Sequence, residues 1–316
     1  MAVIEIRGLQ KTYTRFNKPP EHAVRGLDLT VDAGGVFGFL GPNGSGKTTT
    51  IRLLLGLARP DGGTMTMFGR PIPTDLPAVI GRVGALVETP LFFPQFSGRR
   101  NLELLASATG LPTSRVDAML ELVDLSGRAG DRVKGYSLGM KQRLGIAAAL
   151  LKDPELIILD EPGNGLDAAG IKEVRELIVR LGAGGRTVLL SSHQLAEVQQ
   201  VCDRVAIMSH GAVIASGSVA ELLAAGSSGE VRVRVGDLAS GADVLRARGF
   251  TVTRDDATLR VGGVTDAAEI TRALSDAGLY LSELSPVSAD LESVFLTLTG
   301  EPGSAAGPSA AAEVAA

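Results

Sequence analysis

The segment from Gly41 to Thr48 reads GPNGSGKT and matches the pattern G-x-x-x-x-G-K-T. In loops of this kind, consecutive backbone N–H groups face phosphate oxygens, and the N-terminal end of the following helix adds positive electrostatic potential. The apolar segment VFGFL precedes the loop, and TTTIRLLLGL, with apolar residues at helical spacing, follows it. This strand–loop–helix order is the context that the pattern requires, so we expect an α/β fold that binds a nucleoside triphosphate.

Composition narrows the partners and the compartment. The 316-residue chain has 45% hydrophobic residues and a formal net charge of −4, which gives no support to a nucleic-acid partner. A single cysteine, Cys202, excludes an internal disulfide and fits a reducing compartment. No apolar run approaches the roughly 20 residues of a membrane-spanning helix, so we expect a soluble chain whose membrane role, if any, depends on a partner.

Strand and helix patterns alternate over the first two thirds of the chain. Alternating apolar and polar residues predict antiparallel strands at Val3–Leu9 and Leu27–Gly35. Apolar runs predict buried strands at Val36–Leu40, Glu155–Asp160, Thr187–His193 and Arg204–Gly211, and helical spacing predicts helices at Thr48–Leu57, Asn101–Thr109, Thr113–Val123, Leu138–Leu151 and Ile171–Leu181. This alternation indicates a mainly parallel sheet covered by helices.

The pattern changes after the segment AAGSSG (Ala224–Gly229), which we interpret as a linker. The order strand-helix-strand-strand-helix-strand-helix then predicts a small α+β domain of ferredoxin-like order. We therefore predict a nucleotide-binding domain at 1–225, an accessory domain at 230–300 and a disordered tail at 301–316, since the tail lacks aromatic residues and periodicity.

The phosphate loop assigns specific roles to its residues. Gly41, Gly44 and Gly46 leave the backbone accessible to phosphate, Lys47 supplies a positive charge, and the Thr48 hydroxyl is a natural Mg²⁺ ligand. The residues assigned to ATP binding in this loop are Gly41, Asn43, Gly44, Ser45, Gly46, Lys47, Thr48 and Thr49.

In the segment LIILDEP, two adjacent carboxylates follow the apolar run LIIL. Asp160 at the end of a strand can reach the coordination shell of Mg²⁺, and Glu161 can act as general base toward the attacking water. An acidic helix cap after the strand is the alternative, but it explains one carboxylate and not the pair.

A third motif, YSLGMKQR, precedes that strand. Ser137 and Gly139 open a helix, so a hydroxyl, backbone N–H groups and the helix dipole can face an anion. On spacing alone, an ordinary serine-capped helix is the better explanation.

The order of these motifs resembles that of the ABC transporter ATPases. The phosphate loop, SLGMKQR, LIILDEP, GLD (Gly165–Asp167) and SSH (Ser191–His193) follow one another as in that family, over residues 1 to about 220. The resemblance implies a P-loop ABC ATPase domain with a RecA-like core, an antiparallel β subdomain and an α-helical subdomain.

The resemblance also implies roles for residues that are weak signals by themselves. Ser137 and Gly139 match the family signature, which contacts ATP held by the opposite subunit of a head-to-tail homodimer with two ATP, and Asp167 matches a subunit-contact residue. His193 matches the histidine that holds the γ-phosphate and attacking water, although a lone histidine is more often structural. Tyr13 matches the aromatic residue that stacks on adenine.

Two positions depart from the family pattern. Leu138 replaces the usual first glycine of the signature, and Glu88 stands where a glutamine senses Mg²⁺ and the γ-phosphate, with Gln95 as a rival for that role. A carboxylate still coordinates Mg²⁺ but adds negative charge, so we expect altered metal dependence. Both departures, and the string LESVFLTLTG (Leu291–Gly300), resemble bacterial exporters of antibiotics such as bacitracin and daunorubicin.

The resemblance implies an ATP-hydrolysing subunit at the cytoplasmic face of the membrane, driving export of a drug, antibiotic or lipid-like compound through a separate permease. Phe92, Phe93 and Phe96 either belong to the core or form a groove for a permease helix. The alternatives are a soluble ABC ATPase acting on ribosomes or nucleic acid, which the single ATPase unit disfavours, and a regulatory module of poor turnover, which Glu161 disfavours.

Overall fold

The computed structural model describes residues 1–14, 16–17, 19–88, 91–226, 229–264, 266–287 and 290–299. The chain divides into two compact units, Met1–Val219 and the part from Ala220 onward. The strands of the first unit are β1 (Ala2–Tyr13), β2 (Glu21–Asp32), β3 (Gly35–Leu40), β4 (Gly62–Met67), β5 (Arg70–Ile72), β6 (Val83–Leu86), β7 (Leu156–Asp160), β8 (Thr187–Ser192), β9 (Arg204–Ser209) and β10 (Ala212–Ser218).

The helices of the first unit lie between these strands or after them along the chain. They are α1 (Lys47–Leu54), α2 (Leu76–Val79), α3 (Gly98–Ala108), α4 (Ser114–Leu122), α5 (Leu138–Leu150), α6 (Ala168–Ala183) and α7 (Leu195–Val198), and α8 (Val219–Gly226) begins at the boundary between the units.

An antiparallel sheet has the strand order β2-β1-β4-β5. Along β1, Ile4 and Ile6 are buried while Glu5 and Arg7 are exposed, which is the alternation that places one face of a sheet on a core. The buried side chains of this sheet share one apolar cluster with residues of β3 and α1, including Phe39 and Ile51.

The central sheet has the order β10-β9-β3-β8-β7-β6, and only β10 runs antiparallel to its neighbour. Every residue of β7, LIILD, is buried, as expected for a strand covered on both faces. The parallel strands place the carboxyl ends of β3, β6, β7 and β8 along one edge.

The second unit contains β11 (Val231–Val235), α9 (Leu238–Ala247), β12 (Thr251–Asp255), β13 (Thr258–Gly262), α10 (Ala267–Asp276), β14 (Leu281–Pro286) and α11 (Leu291–Thr299). Its antiparallel sheet has the order β12-β13-β11-β14. This is the split βαβ arrangement of ferredoxin-like folds, so the fold class expected from the sequence is confirmed. Val233, Leu259 and Ile270 are fully buried in its core.

Several details differ from the sequence expectations. The linker predicted at Ala224–Gly229 begins inside α8, which continues to Gly226. Strands β4, β5, β6 and β10 were not predicted, because they are short or glycine-containing and lack a clean period. The tail predicted at 301–316 lies outside the described residues.

β6 lies in close contact with α5 at Gly84. A Cβ added at Gly84 would lie 2.3 Å from the carbonyl oxygen of Ala149 and 2.9 Å from Pro154 Cγ. Because a backbone atom must move, we expect Gly84→Ala to lower the free energy of unfolding by about 1–3 kcal/mol. The thermal midpoint should fall by about 2–4 °C per kcal/mol.

The matched control is Gly127→Ala, because nothing lies within 4 Å of a Cβ built there and the glycine does not need a positive φ. Its thermal midpoint should stay close to that of the wild type. Equal midpoints for the two variants would show that β6 and α5 are not packed as closely as described.

Candidate functional site

The phosphate loop joins β3 to α1 and needs glycine for both conformation and space. Gly41 has a φ of 152° and Gly46 a φ of 104°. A Cβ would lie 2.4 Å from the Met208 carbonyl oxygen at the first position and 2.3 Å from the Ala23 carbonyl oxygen at the second. The loop therefore lies against its surroundings with no room for side chains at these two points.

Lys47, the first residue of α1, is buried with 5% of its surface exposed. Its Nζ donates to the carbonyl oxygens of Gly41 at 2.7 Å and Pro42 at 3.3 Å, and lies 3.2 Å from Glu161 Oε1. The lysine therefore connects the loop to the carboxylate that follows β7.

One cleft brings together most of the predicted ATP-binding residues. Its lining consists of Tyr13, Glu21, Ala23, Asn43, Gly44, Ser45, Gly46, Lys47, Thr48, Thr49, Arg52 and Glu161. Tyr13 lies at this cleft with the phosphate loop, and the ammonium of Lys11 is 5.5 Å from its ring centroid. The hydroxyl of Ser45 is buried without a hydrogen-bond partner inside the protein. An unsatisfied donor in a glycine-rich loop fits a phosphate group.

Glu161 contacts both a cation and a histidine. Its Oε2 lies 2.7 Å from His193 Nδ1, and the backbone N–H of His193 donates to the same oxygen at 3.4 Å. The backbone of Glu161 has a φ of 48°, which is uncommon for a residue with a side chain. Its N–H donates to the hydroxyl of Ser191 at 3.0 Å. These contacts orient the carboxylate between Lys47 and His193.

Asp160 is buried at the end of β7, and the hydroxyl of Ser191 donates to its Oδ1. The hydroxyl of Ser191 thus contacts both Asp160, to which it donates, and Glu161, from whose N–H it accepts. In the sequence interpretation, Ser191 is only part of the SSH string. The pairing of β7 with β8 is what brings it next to Asp160.

A second cleft contains all three predicted metal-binding residues. It is lined by Thr48, Glu88, Leu138, Gln142, Asp160, Glu161 and Asn164. Among the described residues, no group of three or more His, Cys, Asp or Glu side chains is arranged to hold a metal ion by itself. Hydroxyl and carboxylate oxygens in this small number suit Mg²⁺, which retains waters and takes further oxygens from phosphate.

Glu88, two residues after β6, forms an ion pair with Arg52 of α1. Its φ is 62°, so this carboxylate also extends from a left-handed backbone. The sequence interpretation missed Arg52, whose partner lies 36 residues away. Gln95, the rival of Glu88, is exposed and lines neither cleft.

The signature residues lie at the start of α5. The hydroxyl of Ser137 accepts from the backbone N–H of Met140 at 3.2 Å, so the serine does cap the helix. Leu138 is 42% exposed and lines the second cleft. Asp167 caps α6 by accepting from the N–H of Gly170 at 2.9 Å, and its side chain is also exposed. Within one chain, neither Ser137 nor Asp167 lines the cleft of the phosphate loop.

An aromatic loop precedes α3. Phe93 and Phe96 are 62% and 42% exposed, their ring centroids are 5.5 Å apart, and Leu91 beside them is almost fully exposed. The core alternative is therefore wrong for these two rings. The buried side chain of Asn101 accepts from the N–H of Phe93 at 2.8 Å and donates to its carbonyl at 3.2 Å, which anchors the loop.

Within the described part of the chain, no helix is both long enough and apolar enough to cross a membrane. The buried Cys202 contributes no reactive thiol, because burial raises the pKa of its sulfhydryl group well above its usual range.

Comparison with known protein families gives two matches. The family model described as ABC transporter matches residues 24–164, which include the phosphate loop, the signature and both carboxylates after β7. A domain of unknown function matches residues 229–292, within the second unit.

Curated relatives extend the likeness along the chain. The bacitracin transport ATP-binding protein BcrA of Enterococcus faecalis is 36% identical over 95% of this chain and 97% of its own length. The daunorubicin/doxorubicin resistance ATP-binding protein DrrA of Streptomyces peucetius is 38% identical over 95% of this chain and 93% of its own length. The uncharacterized ABC transporter ATP-binding protein YhcH of Bacillus subtilis is 46% identical over 60% of this chain, which spans only 62% of the length of that relative.

Solved structures agree with these relatives. The cbiO1 protein of Clostridium perfringens, described as part of the ABC transporter complex cbiONQ, has a TM-score of 0.64 and 27% identity, covering 71% of this chain and 91% of its own. The P-loop site lies at one edge of the central sheet, and BcrA and DrrA align with this chain over nearly their whole length. The chain therefore belongs to the ATP-binding subunits of the ABC transporters.

Proposed function

We propose that this chain binds and hydrolyses ATP with Mg²⁺ and drives export of a solute through a separate membrane permease. The observation that carries the proposal is the position of Glu161, whose two carboxylate oxygens contact Lys47 of the phosphate loop and His193 after β8. Three polar groups from three separate loops thus converge on one point beside a loop that fits phosphate.

The residues around the loop account for nucleotide binding. Backbone N–H groups of the loop and the N-terminal end of α1 face the phosphates, and Lys47 supplies the positive charge. Mg²⁺, when bound with ATP, would neutralise phosphate charge. Thr48 and Asp160 would hold it, with Glu88 at the same cleft.

Glu161 would act as general base. It would take a proton from a water whose oxygen attacks the γ-phosphorus, while the bond from that phosphorus to the β,γ-bridging oxygen of ATP breaks and that oxygen leaves as part of ADP. His193 orients Glu161 through the 2.7 Å contact and contributes a polar group to the same point. Tyr13, which lines the same cleft, would stack on the adenine.

The chain is proposed to act as a head-to-tail homodimer. Ser137 and Gly139 begin a helix whose N-terminal end is accessible, and this end suits a phosphate supplied from outside the subunit. The exposed Asp167 at the start of α6 would contact the second subunit.

The exposed aromatic loop is proposed as the docking surface for a cytoplasmic helix of the permease. Phe93 and Phe96 present apolar area that the core leaves uncovered, on a loop held by Asn101 and close in sequence to Glu88. Closure of the dimer would then move the attached permease helices. The protein would lie at the cytoplasmic face of the membrane through this contact.

The relatives reported above favour export over action on ribosomes or nucleic acid. The names of BcrA and DrrA refer to bacitracin transport and to daunorubicin and doxorubicin resistance, and both relatives align over more than nine tenths of their length. We therefore propose a drug, an antibiotic or a lipid-like compound as the solute.

The role of Glu161 is tested by Glu161→Gln. Because the amide accepts no proton from water, we expect ATP hydrolysis to fall by about 100-fold or more, while binding of ATP persists. Phosphate release measures ATP hydrolysis, and fluorescence anisotropy of a labelled ATP analogue measures ATP binding. Glu155→Gln, at the other end of β7, removes an exposed carboxylate paired with Arg82 and should leave hydrolysis unchanged. Full hydrolysis by Glu161→Gln would exclude this residue as the base.

The role of Ser137 is tested against a second helix cap. Ser97 caps α3 as Ser137 caps α5, by accepting from the N–H three residues on. Both alanine variants should lose about 0.5–2 kcal/mol of stability. In the Glu161→Gln background with ATP and Mg²⁺, only Ser137→Ala should reduce the dimer fraction measured by light scattering. An equal reduction by both would show that Ser137 acts only as a cap.

The docking surface is tested by co-purification from native membranes with the tagged Glu161→Gln protein and ATP. We expect one polytopic membrane protein in stoichiometric amount, and its loss with Phe93→Asp, because a charge in the apolar contact is costly to bury. Leu57→Asp, at another exposed apolar position of 67% exposure, should keep the partner. Recovery of ribosomes or DNA with the wild-type loop would overturn the export function.

A further inference from the structure

Arg52 and Glu88 form an ion pair between the two clefts of the site. Arg52 lies on α1, one turn after Thr48, and lines the cleft of the phosphate loop. Glu88 lines the second cleft with Thr48 and Asp160. The pair therefore connects the helix that carries the phosphate loop to the segment after β6.

The charges of the second cleft explain why this contact matters. Its lining includes three carboxylates, and each contacts a different group of the chain. Asp160 accepts from Ser191, Glu161 contacts Lys47 and His193, and Glu88 contacts Arg52. Arg52 is therefore the cation that offsets the charge of Glu88, which would otherwise repel a triphosphate bound beside it.

The backbone directs Glu88 toward this contact. Its left-handed conformation, with a φ of 62°, costs energy for a residue with a Cβ. Such a conformation persists where neighbouring contacts hold it, and among the described residues the guanidinium of Arg52 contacts its carboxylate.

We propose that Arg52 is a positioning residue, which holds the carboxylate of Glu88 at the metal side of the site and offsets its charge toward ATP. The inference rests on the proposed function, since it concerns the same ATP site. It explains how a carboxylate is tolerated at the position of Glu88. Arg52 acts on the nucleotide mainly through Glu88, and this distinguishes it from a direct phosphate ligand.

The test is a double-mutant cycle read out by binding, without turnover. The full-length chain and its Arg52→Met, Glu88→Gln and double variants are titrated with a fluorescent ATP analogue in EDTA, and again with Mg²⁺. We expect Arg52→Met to weaken metal-free binding by about two- to fivefold, the size of an exposed ion-pair interaction. In EDTA, Glu88→Gln should bind as tightly as the wild type or more tightly, and in that background the Arg52→Met loss should disappear.

Two further variants separate positioning from folding and from bulk charge. Arg52→Lys keeps a positive charge and should bind within about twofold of the wild type, because an ammonium still offsets a carboxylate. Arg59→Met removes a charge just beyond α1, at an exposed residue outside both clefts, and should leave the Kd unchanged. Thermal midpoints of all variants establish that each is folded.

The outcomes are distinct. Equal losses for Arg52→Met with Glu88 or with Gln at position 88 would overturn the positioning role and make Arg52 a direct nucleotide ligand. If the single variant Arg52→Met bound the nucleotide as tightly as the wild type, this result would also overturn the positioning role. Failure of the wild type to bind the nucleotide at all would instead contradict the proposed function.

Discussion

The parallel pairing of the central strands is the constraint on which the site depends. Leu40 at the end of β3 is paired with Ser192, and Asp160 at the end of β7 is paired with Ser191. Because parallel strands that start and stop together end at one edge, the phosphate loop, the two carboxylates and His193 emerge side by side. Each group is then close enough to the others for Lys47 and His193 to contact one carboxylate.

Two carboxylates at the same edge extend from strained backbone. Glu161 and Glu88 both have positive φ values, and both extend a carboxylate into the second cleft. Such conformations cost about 1–3 kcal/mol each, so the buried strands and hydrogen bonds around them must offset this cost. For Glu161 the offset includes two bonds from its own N–H to Ser191. The strain has a chemical consequence, since it directs these carboxylates toward the groups they contact.

The sequence predicted the long, periodic elements well and the short ones poorly. LIILD and the strand before the phosphate loop are continuous apolar runs, and the structure has buried strands there. β5 has only three residues and β4 begins with two glycines, so neither shows a period. The linker predicted at Ala224–Gly229 is wrong at its first three residues, because alanines also favour helix and α8 continues to Gly226. The family resemblance and the ferredoxin-like order are confirmed, and the assigned site residues remain proposals.

Residue types and their spacing are enough to establish the kind of chemistry. Glycine spacing, a lysine and an adjacent carboxylate pair are local features, and their physical meaning can be read without a fold. Which of these groups come into contact depends on the folded chain. The contacts of Ser191 with Asp160, Asn101 with Phe93, and Arg52 with Glu88 join residues that are 31, 8 and 36 positions apart. Strand register and loop conformation set these contacts, and neither follows from the residue types alone.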